Sequence, residues 1–273
     1  MTTWLVTGAS RGIGREIVEQ LLTRGDTVAA TLRRPEQLAE LGERYPDQLH
    51  TYMLDVTDTP QIESVLDKAF TALGRIDVLV SNAGSGIFAV AEDLTDAQIE
   101  QSLATNLTGS IQFARRAVPH LRAQGGGTLV QMSSMGGHIT FPAFSLYHAA
   151  KWGVEGFFQT LATEIAPFGI RTVLVEPGMV RSTFFDSAER VAVSEPYRGG
   201  PADLAPVPVE TMPGSPSGLA HAIIETAVSA DPPLRLLLNS DGYANVIEAL
   251  EQRLADLRPQ RESAAAADAE YPA

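Results

Sequence analysis

The sequence TWLVTGASRGIGREIVEQLLTRG, from Thr3 to Gly25, decides the fold that we expect for this chain. Its first residues form a short apolar run that ends in glycine, as a buried parallel strand does. Farther along, apolar side chains recur at helical spacing, at Ile17, Val18, Leu21 and Leu22. The terminal Gly25 is a typical helix stop. The stretch therefore predicts a strand, a glycine-rich turn and a helix.

The same order of strand and helix repeats along the chain. Further apolar, nearly uncharged runs occur at 27–32, 49–56, 76–84, 127–134, 170–178 and 234–240, with helical patterns between them. Such strands indicate a parallel sheet that is buried on both faces, and right-handed crossovers make it doubly wound. The predicted fold class is α/β, a Rossmann-type doubly wound parallel sheet of about seven strands with helices on both faces.

No linker interrupts the chain before residue 179, so we expect residues 1–257 to form a single domain. Within it, residues 179–218 are rich in proline and show little periodicity. An insertion this long is usually a functional lid or is disordered, and we expect a mobile lid over the substrate. Residues 258–273 are mostly small or polar, and we expect a flexible tail.

Composition and charge restrict the classes of function. The 273 residues include 20 Lys and Arg against 33 Asp and Glu, for a formal charge of -13. Such a surface repels phosphate backbones, so neither nucleic acid nor a membrane is an expected partner. No Asp, Glu, Lys or Arg occurs between Arg122 and Lys151, but this stretch is too polar to cross lipid and is expected to line a cleft. The chain has no cysteine and starts without a signal peptide, so we predict no metal and a cytoplasmic location.

The first turn is a candidate anion-binding site. In TGASRGIG, Gly8, Gly12 and Gly14 permit tight turning and close approach of the backbone. The helix that follows offers unpaired N–H groups and the positive end of its dipole. The spacing differs from the general Gly-x-Gly-x-x-Gly fingerprint, and a tight strand–helix turn without a ligand is the alternative. Its place after the first strand favours a pyrophosphate.

Six motifs together resemble one family. TGASRGIG, LDVTD, SNAG, Asn106, Ser134 and YHAAK occur in the order that is typical of the short-chain dehydrogenase/reductase family, in its single-domain branch of about 250 residues. The resemblance covers residues 3 to about 183. It implies a nicotinamide-dependent oxidoreductase whose substrate specificity lies in the remaining third of the chain.

The motif YHAAK carries the expected chemistry. Tyr147 and Lys151 share one helix face because they lie at positions i and i+4, and the ammonium is expected to lower the pKa of Tyr147 from about 10 toward neutrality. Ser134 can hydrogen-bond a substrate carbonyl oxygen while Tyr147 protonates it; Ser133 is the competing hydroxyl, and the family's spacing favours Ser134. The resemblance implies in addition that Lys151 holds the nicotinamide ribose and that Asn106 supports a proton relay through water.

The resemblance also implies a cofactor-binding set at the carboxyl ends of the strands. Its members are Gly8, Ser10, Arg11, Gly12, Ile13 and Gly14 in the turn, Asp55 and Val56 after the third strand, Asn82, Ala83 and Gly84 after the fourth, Pro177, Gly178, Val180 and Thr183 after the sixth, and both Tyr147 and Lys151. Helix capping is the alternative for Asp55, and a strand-terminating turn is the alternative for SNAG. Ser182 competes with Thr183 for the nicotinamide amide.

Charge at the end of the second strand predicts the cofactor. Relatives of this fold that prefer NAD usually carry an acidic residue there, whereas this strand is followed by Arg33 and Arg34, with Arg11 in the glycine turn. Guanidinium groups pair bidentately with phosphate oxygens, which suits the 2′-phosphate of NADP. The predicted cofactor is NADP(H), and solvent-facing arginines are the alternative.

The leading hypothesis is an NADP(H)-dependent oxidoreductase that interconverts a ketone and a secondary alcohol. Aromatic residues near the expected cleft suggest an apolar aryl, polyketide-like or steroid-like substrate, and core packing is their alternative role: Phe141, Phe144, Phe184, Phe185 and Tyr197. A non-catalytic NAD(P)-binding sensor with the same fold is the alternative function. The resemblance implies a homodimer or homotetramer built through helices near 100–122 and 147–166.

Overall fold

The computed structural model describes residues 1–268. Its central sheet has seven parallel strands in the order β3-β2-β1-β4-β6-β7-β9. Their bounds are β1 (Thr3–Thr7), β2 (Thr27–Leu32), β3 (Leu49–Met53), β4 (Val78–Ser81), β6 (Gly127–Met132), β7 (Ile170–Pro177) and β9 (Arg235–Leu238). A separate pair joins β5 (Ile87–Phe88) to β8 (Glu189–Arg190). The predicted fold class is confirmed.

Ten α-helices connect or follow these strands in the described residues. They are α1 (Gly12–Arg24), α2 (Ala39–Arg44), α3 (Thr59–Leu73), α4 (Asp96–Leu103), α5 (Gly109–Ala123), α6 (Ser145–Ile165), α7 (Thr183–Ser187), α8 (Pro216–Val228), α9 (Ser240–Leu257) and α10 (Arg261–Ala266). The helix α1 ends at Gly25 with φ of 90°, which a residue with a Cβ rarely adopts.

The sheet separates two apolar cores because successive side chains of a strand point to opposite faces. Trp4 and Val6 of β1 pack with α1, α2 and α8. Leu5, between them, packs on the other face with α3, α5 and α6. Helices therefore cover both faces, which explains why the strands are almost free of charge.

The strand order places the functional end of the sheet. From β1 the chain runs outward to β2 and β3, and then returns to β4 on the other side of β1. In open α/β sheets, ligands bind in the crevice at the carboxyl ends of strands where the order reverses. Here that crevice lies beyond Thr7 of β1 and Ser81 of β4.

The helical stretch from Asp96 to Ala123 is interrupted. A π-helical turn, Ala104–Thr108, separates α4 from α5. Such turns insert one extra residue into the helix and are frequent at functional sites. Asn106 lies at the centre of this turn.

The segments predicted as a lid and as a tail both contain regular secondary structure. The segment 179–218 includes α7, β8 and the start of α8, so its prolines leave room for regular elements. Residues 258–266 continue as helical turns after α9, and residues 269–273 of the predicted tail lie outside the described residues. Mobility of the lid and of the tail stays a prediction. Among the described residues, no helix combines the length and apolarity that a bilayer crossing requires.

Candidate active site

The glycine turn forms a narrow backbone cradle at the end of β1. Gly8 and Gly12 have φ of 67° and 56°, in the region that favours glycine. A Cβ on Gly14 would lie 2.5 Å from the carbonyl oxygen of Gly8 and would also collide with the Asn82 amide. Only glycine fits at this position, which confirms a close-approach turn.

Asn82 and Thr7 hold the turn in place. The Asn82 side chain donates to the carbonyl oxygens of Thr7 at 2.9 Å and Gly8 at 3.2 Å. The Thr7 hydroxyl in turn accepts from the backbone N–H groups of Asn82 and Ala83. The SNAG motif therefore ends β4 and also fastens the glycine turn, and its contact with a cofactor stays a prediction. Thr7 was missed in the sequence because a threonine that ends a strand gives no distinctive signal.

The N-terminus of α1 is free to accept an anion. Arg11, at the N-cap position, provides no side-chain cap, and the first turn of α1 has no acidic residue. By contrast, Asp58 caps α3 by accepting from Gln61 N–H at 3.0 Å. A helix start without a cap leaves backbone N–H groups and a positive partial charge for a ligand.

The predicted arginines lie exposed around this turn. Arg11, Arg33 and Arg34 are all exposed, and none of them forms an ion pair within residues 1–268. The neighbouring Arg15 instead pairs with Glu19 at 2.7 Å. Three unpaired guanidinium groups next to an uncapped helix N-terminus fit a phosphate-bearing ligand.

Ser134, Tyr147 and Lys151 meet at the carboxyl end of β6. Tyr147 and Lys151 are both buried on α6, and the Lys151 Nζ lies 5.5 Å from the centre of the Tyr147 ring. Lys151 also donates to the carbonyl oxygen of Met132, at 2.9 Å. The Ser134 hydroxyl accepts from the N–H of Gly136 at 3.0 Å, and the Ser134 side chain lowers the pKa of Tyr147.

The pKa of Tyr147 departs from its expected direction. Burial raises the pKa of Tyr147 to about 12, although the Ser134 side chain opposes the shift. Burial likewise lowers the pKa of Lys151 to about 8, and the charge of Glu155 opposes that shift. The expected lowering of the Tyr147 pKa is wrong because desolvation, which disfavours the charged form of each group, is the dominant effect on both Tyr147 and Lys151.

The two candidate serines point to different surroundings. Ser133 is buried, and its hydroxyl lies 3.2 Å from the position that a Cβ on Gly137 would take, beside Glu155. Ser133 lowers the pKa of Glu155, whereas Ser134 lowers the pKa of Tyr147. Ser134 is therefore the serine that faces the phenol, as the spacing predicts.

Asn106 is positioned by the π-helical turn. Its side-chain oxygen accepts from the backbone N–H of Ser85 at 2.9 Å, and its amide donates to the carbonyl oxygen of Ser102 at 3.1 Å. The asparagine thus joins α4 to the loop that follows SNAG, where a Cβ on Gly84 would lie 3.2 Å from its side-chain oxygen. The side-chain oxygen holds this loop, and the amide nitrogen ties the side chain to α4.

The remaining predicted cofactor residues lie along the same edge of the sheet. Asp55 accepts from the backbone N–H and the hydroxyl of Thr57, while the cap of α3 is Asp58, so Asp55 is no helix cap. Val56 packs its carbonyl against Gly109 at the start of α5.

The loop after β7 approaches the glycine turn. A Cβ on Gly12 would lie 3.8 Å from the Cβ of Ser182. Ser182 caps α7, since its hydroxyl accepts from Phe184 N–H at 3.4 Å. Upstream, Gly178 fits against Asp241, which accepts from Met179 N–H at 2.8 Å.

An aromatic cluster covers Tyr147. Phe144 stacks on Tyr147 with ring centres 4.3 Å apart, and Phe184 meets Tyr147 edge-on at 5.7 Å. Phe88, which the sequence did not single out, stacks on Phe144 at 4.3 Å and lies 6.2 Å from Phe185. Phe88 gives no periodic signal in the sequence because it is an isolated aromatic residue. The β5–β8 pair brings it to the site.

Other predicted aromatic residues have separate roles. Phe141 packs edge-on against His148 at 4.7 Å. The Nε2 of His148 accepts from Phe141 N–H at 3.0 Å, and its Nδ1 lies 2.9 Å from the Gly136 oxygen. His148 therefore braces the loop between Ser134 and α6. Tyr197 instead donates to Glu92 at 2.7 Å on the surface.

The first half of the lid is docked and its second half is exposed. The β5–β8 pair and the bond from Ser194 N–H to Asp93, at 3.1 Å, fasten residues 189–197. The ends of the lid meet where Val180 pairs with Gly214. Between them, Leu204 and Val207 are each 48% exposed.

Comparison with known proteins identifies similar chains. A sequence profile described as short chain dehydrogenase matches residues 2–192. The oxidoreductase BOA17 of Botryotinia fuckeliana (strain B05.10) is 36% identical over 266 residues, covering 93% of this chain and 97% of that protein. An NADPH-dependent 3-dehydrocapnine reductase of Ornithobacterium rhinotracheale is 28% identical over 200 residues, covering 71% and 70%. The crystal structure of a short-chain dehydrogenase from Streptomyces avermitilis superposes with a TM-score of 0.89 at 34% identity, covering 98% and 99%.

Proposed function

This chain belongs to the short-chain dehydrogenase family, and on that premise we propose that it reduces an apolar ketone to a secondary alcohol with NADPH. The observation that carries the proposal is the buried Tyr147, which shares the end of β6 with Ser134 and Lys151 under a cover of aromatic rings. A similar protein is described as an NADPH-dependent reductase, which supports the direction and the cofactor.

The residues of this site divide the work of carbonyl reduction. When bound, NADPH supplies the hydride that adds to the carbonyl carbon. The Ser134 hydroxyl donates a hydrogen bond to the carbonyl oxygen, and the Tyr147 phenol gives that oxygen its proton. The charge of Lys151 stabilises the phenolate that remains. Because burial raises the pKa of Tyr147 to about 12, the phenol carries the transferable proton at neutral pH.

The cofactor site would extend along the glycine turn. The cradle at Gly8 and Gly14 has no room for side chains, and the uncapped start of α1 presents its N–H groups; both features fit a pyrophosphate. Exposed, unpaired Arg33 and Arg34 fit the 2′-phosphate that distinguishes NADPH from NADH.

The substrate site would lie between the aromatic cluster and the lid. Phe88, Phe144 and Phe184 surround the phenol, and aromatic surfaces of this kind suit an apolar aryl or polycyclic ketone. The lid, tied at Val180 and Gly214, would close over the complex and exclude water.

The protein is proposed to assemble as a homodimer or homotetramer through the long helices. Exposed apolar side chains support self-association, among them Trp152 of α6 at 40% exposure. A further apolar stripe runs along α9, at Tyr243, Ile247, Leu250, Leu254 and Leu257. Light scattering would measure the mass of the particle in solution, and a monomer at micromolar concentration would contradict this assembly.

The decisive experiment is Tyr147→Phe, assayed with a panel of ketones and both reduced cofactors. The substitution removes only the hydroxyl, so folding and NADPH affinity should persist while turnover falls by roughly 10²–10⁴, the usual contribution of a positioned acid. Phe157→Tyr, on the same helix, is the matched control. If Tyr147→Phe kept most of the activity, the phenol would have no part in the mechanism, and NADPH binding without turnover of any ketone would favour the sensor.

Cofactor choice has its own test. Arg33→Ala should weaken NADPH binding by about 1.5–3 kcal/mol, as for a hydrogen bond to a charged group, and leave NADH nearly unchanged. Arg44→Ala, which removes a guanidinium that lies over Tyr45 instead, is the control. Equal use of NADH and NADPH by the unaltered protein would contradict the assignment.

A further inference from the structure

A buried cluster of ionisable groups lies one turn of α6 beyond Lys151. It joins Glu155 of α6, Glu176 of β7, Arg235 of β9 and His138 of the loop after Ser134. The guanidinium of Arg235 lies 3.1 Å from Glu155 and 3.2 Å from Glu176, and His138 Nε2 lies 3.1 Å from Glu176. Both carboxylates are buried, so their charges have little solvent to stabilise them.

A bound metal is a poorer account of this cluster than a network of charges. One ligand atom each from His138, Glu155 and Glu176 lie within 4.8 Å of one another, which is a spacing that a cation can bridge. The guanidinium of Arg235 already faces both carboxylates, however, and the Gln159 oxygen holds it at 2.9 Å. The cation that this cluster accommodates is therefore Arg235.

Lys151 is the buried cation one helical turn before this cluster. Two buried carboxylates, Glu155 and Glu176, face one guanidinium, and the buried ammonium of Lys151 is the second cation nearby. Glu155 lies at position i+4 from Lys151, so the two side chains share one face of α6. An opposite charge on the adjacent turn of the helix favours the charged form of Lys151, and the charge of Glu155 opposes the lowering of the Lys151 pKa.

We propose that Glu155 is a positioning residue, whose carboxylate keeps the buried ammonium of Lys151 charged. The inference rests on the proposed function, in which that ammonium stabilises the phenolate of Tyr147. Without the negative charge, only burial would act on Lys151, and the amine would become neutral at a lower pH.

The surroundings hold the carboxylate firmly. A Cβ on Gly137 would lie 2.7 Å from Glu155 Cγ, so the loop after Ser134 fits closely over this side chain. Burial raises the pKa of Glu155, and Glu176 acts in the same direction, whereas Ser133, Arg235 and His138 lower it. Arg235 therefore helps to keep Glu155 ionised, and Glu155 in turn opposes the loss of charge on Lys151.

The test compares Glu155→Gln with the unaltered protein by measuring kcat/KM for ketone reduction from pH 6 to 10. The high-pH loss of activity should begin about one pH unit lower in the variant, as for the loss of an opposite charge nearby, so that roughly a tenth of the unaltered activity remains at pH 9. Glu155→Asp, which keeps the charge, should return the profile toward the original. Glu164→Gln, on the exposed face of α6, is the matched control.

If Glu155→Gln lowers activity or stability but leaves the pH profile of kcat/KM unchanged, Glu155 is only structural and the proposal is overturned. If Glu155→Gln does not fold, Arg235→Gln takes its place. Loss of the guanidinium leaves Glu155 prone to protonation, so this variant must also lose activity at a lower pH on the high-pH side of the kcat/KM profile. A failure of the proposed function is distinguishable: no ketone would be reduced. In that case the unfolding free energy of Glu155→Gln must still rise more steeply between pH 7.0 and 9.5 than that of the unaltered protein, and an equal rise would refute the inference.

Discussion

Replacing Lys151 by methionine should reduce the electrostatic penalty of folding near neutral pH, although it removes a proposed catalytic group. Burial lowers the pKa of Lys151 from 10.5 to about 8. The unfolded chain therefore keeps this proton to higher pH than the folded protein does. Below about pH 8 the buried charge destabilises the folded state by its full amount, and the penalty fades as the pH rises toward 10.5.

The size of the penalty follows from the shift. A displacement of about 2.5 pKa units corresponds to about 3.4 kcal/mol at 1.36 kcal/mol per unit, and about 1.4 kcal/mol of it remains at pH 9.5. Methionine also loses the hydrogen bond to the Met132 carbonyl, 2.9 Å long, which costs about 1–3 kcal/mol at either pH. The difference in unfolding free energy, variant minus unaltered protein, should thus fall by about 2 kcal/mol between pH 7.0 and 9.5.

Urea unfolding, followed by tryptophan fluorescence without cofactor, measures this difference. The chain has one other lysine, Lys68, which is exposed on α3, and Lys68→Met should give a difference that does not change with pH. A difference that stays constant or grows for Lys151→Met would refute the assignment of a depressed lysine pKa. Such a result would also remove the basis for the role of Glu155.

Three further outcomes follow from the same site. For ketone reduction, kcat/KM should fall above about pH 8, where Lys151 loses its charge while Tyr147 keeps its proton; a profile flat to pH 10 would contradict this. Trypsin should cut first after Arg198, in the exposed half of the lid, and more slowly with NADP and alcohol present; cleavage that ligands do not affect would count against a lid. Gly14→Ala should weaken NADPH binding at least ten-fold because its Cβ would collide with Gly8, whereas Gly42→Ala, with open space around it, should not.

Features that depend on neighbouring residues along the chain were predictable from the sequence. The turn at Gly8, Gly12 and Gly14 follows from the need for a tight backbone path. The shared face of Tyr147 and Lys151 follows from helix geometry, and the sheet follows from repeated uncharged strands. Each of these signals is contained in fewer than about ten residues.

Features that depend on distant residues were not predictable. The π-helical turn around Asn106 is held by the backbone of Ser85, from another loop, and the spacing of apolar residues did not reveal it. The cluster of Glu155, Glu176 and Arg235 draws on one helix and two strands far apart in sequence. The pKa of Tyr147 depends on how deeply the ring is buried, which a Tyr-x-x-x-Lys motif does not specify.

The two displaced pKa values bear on the direction of catalysis. Burial favours the neutral phenol of Tyr147 and also the neutral amine of Lys151. Burial therefore disfavours an ion pair of phenolate and ammonium before the reaction starts. Reduction starts from the phenol, which is abundant at neutral pH, and transfer of its proton creates a phenolate that needs the ammonium beside it. Oxidation would start from the phenolate, which burial makes scarce. A reduction, as proposed above, would therefore start from the abundant form of Tyr147, provided that Lys151 stays charged while the proton leaves Tyr147.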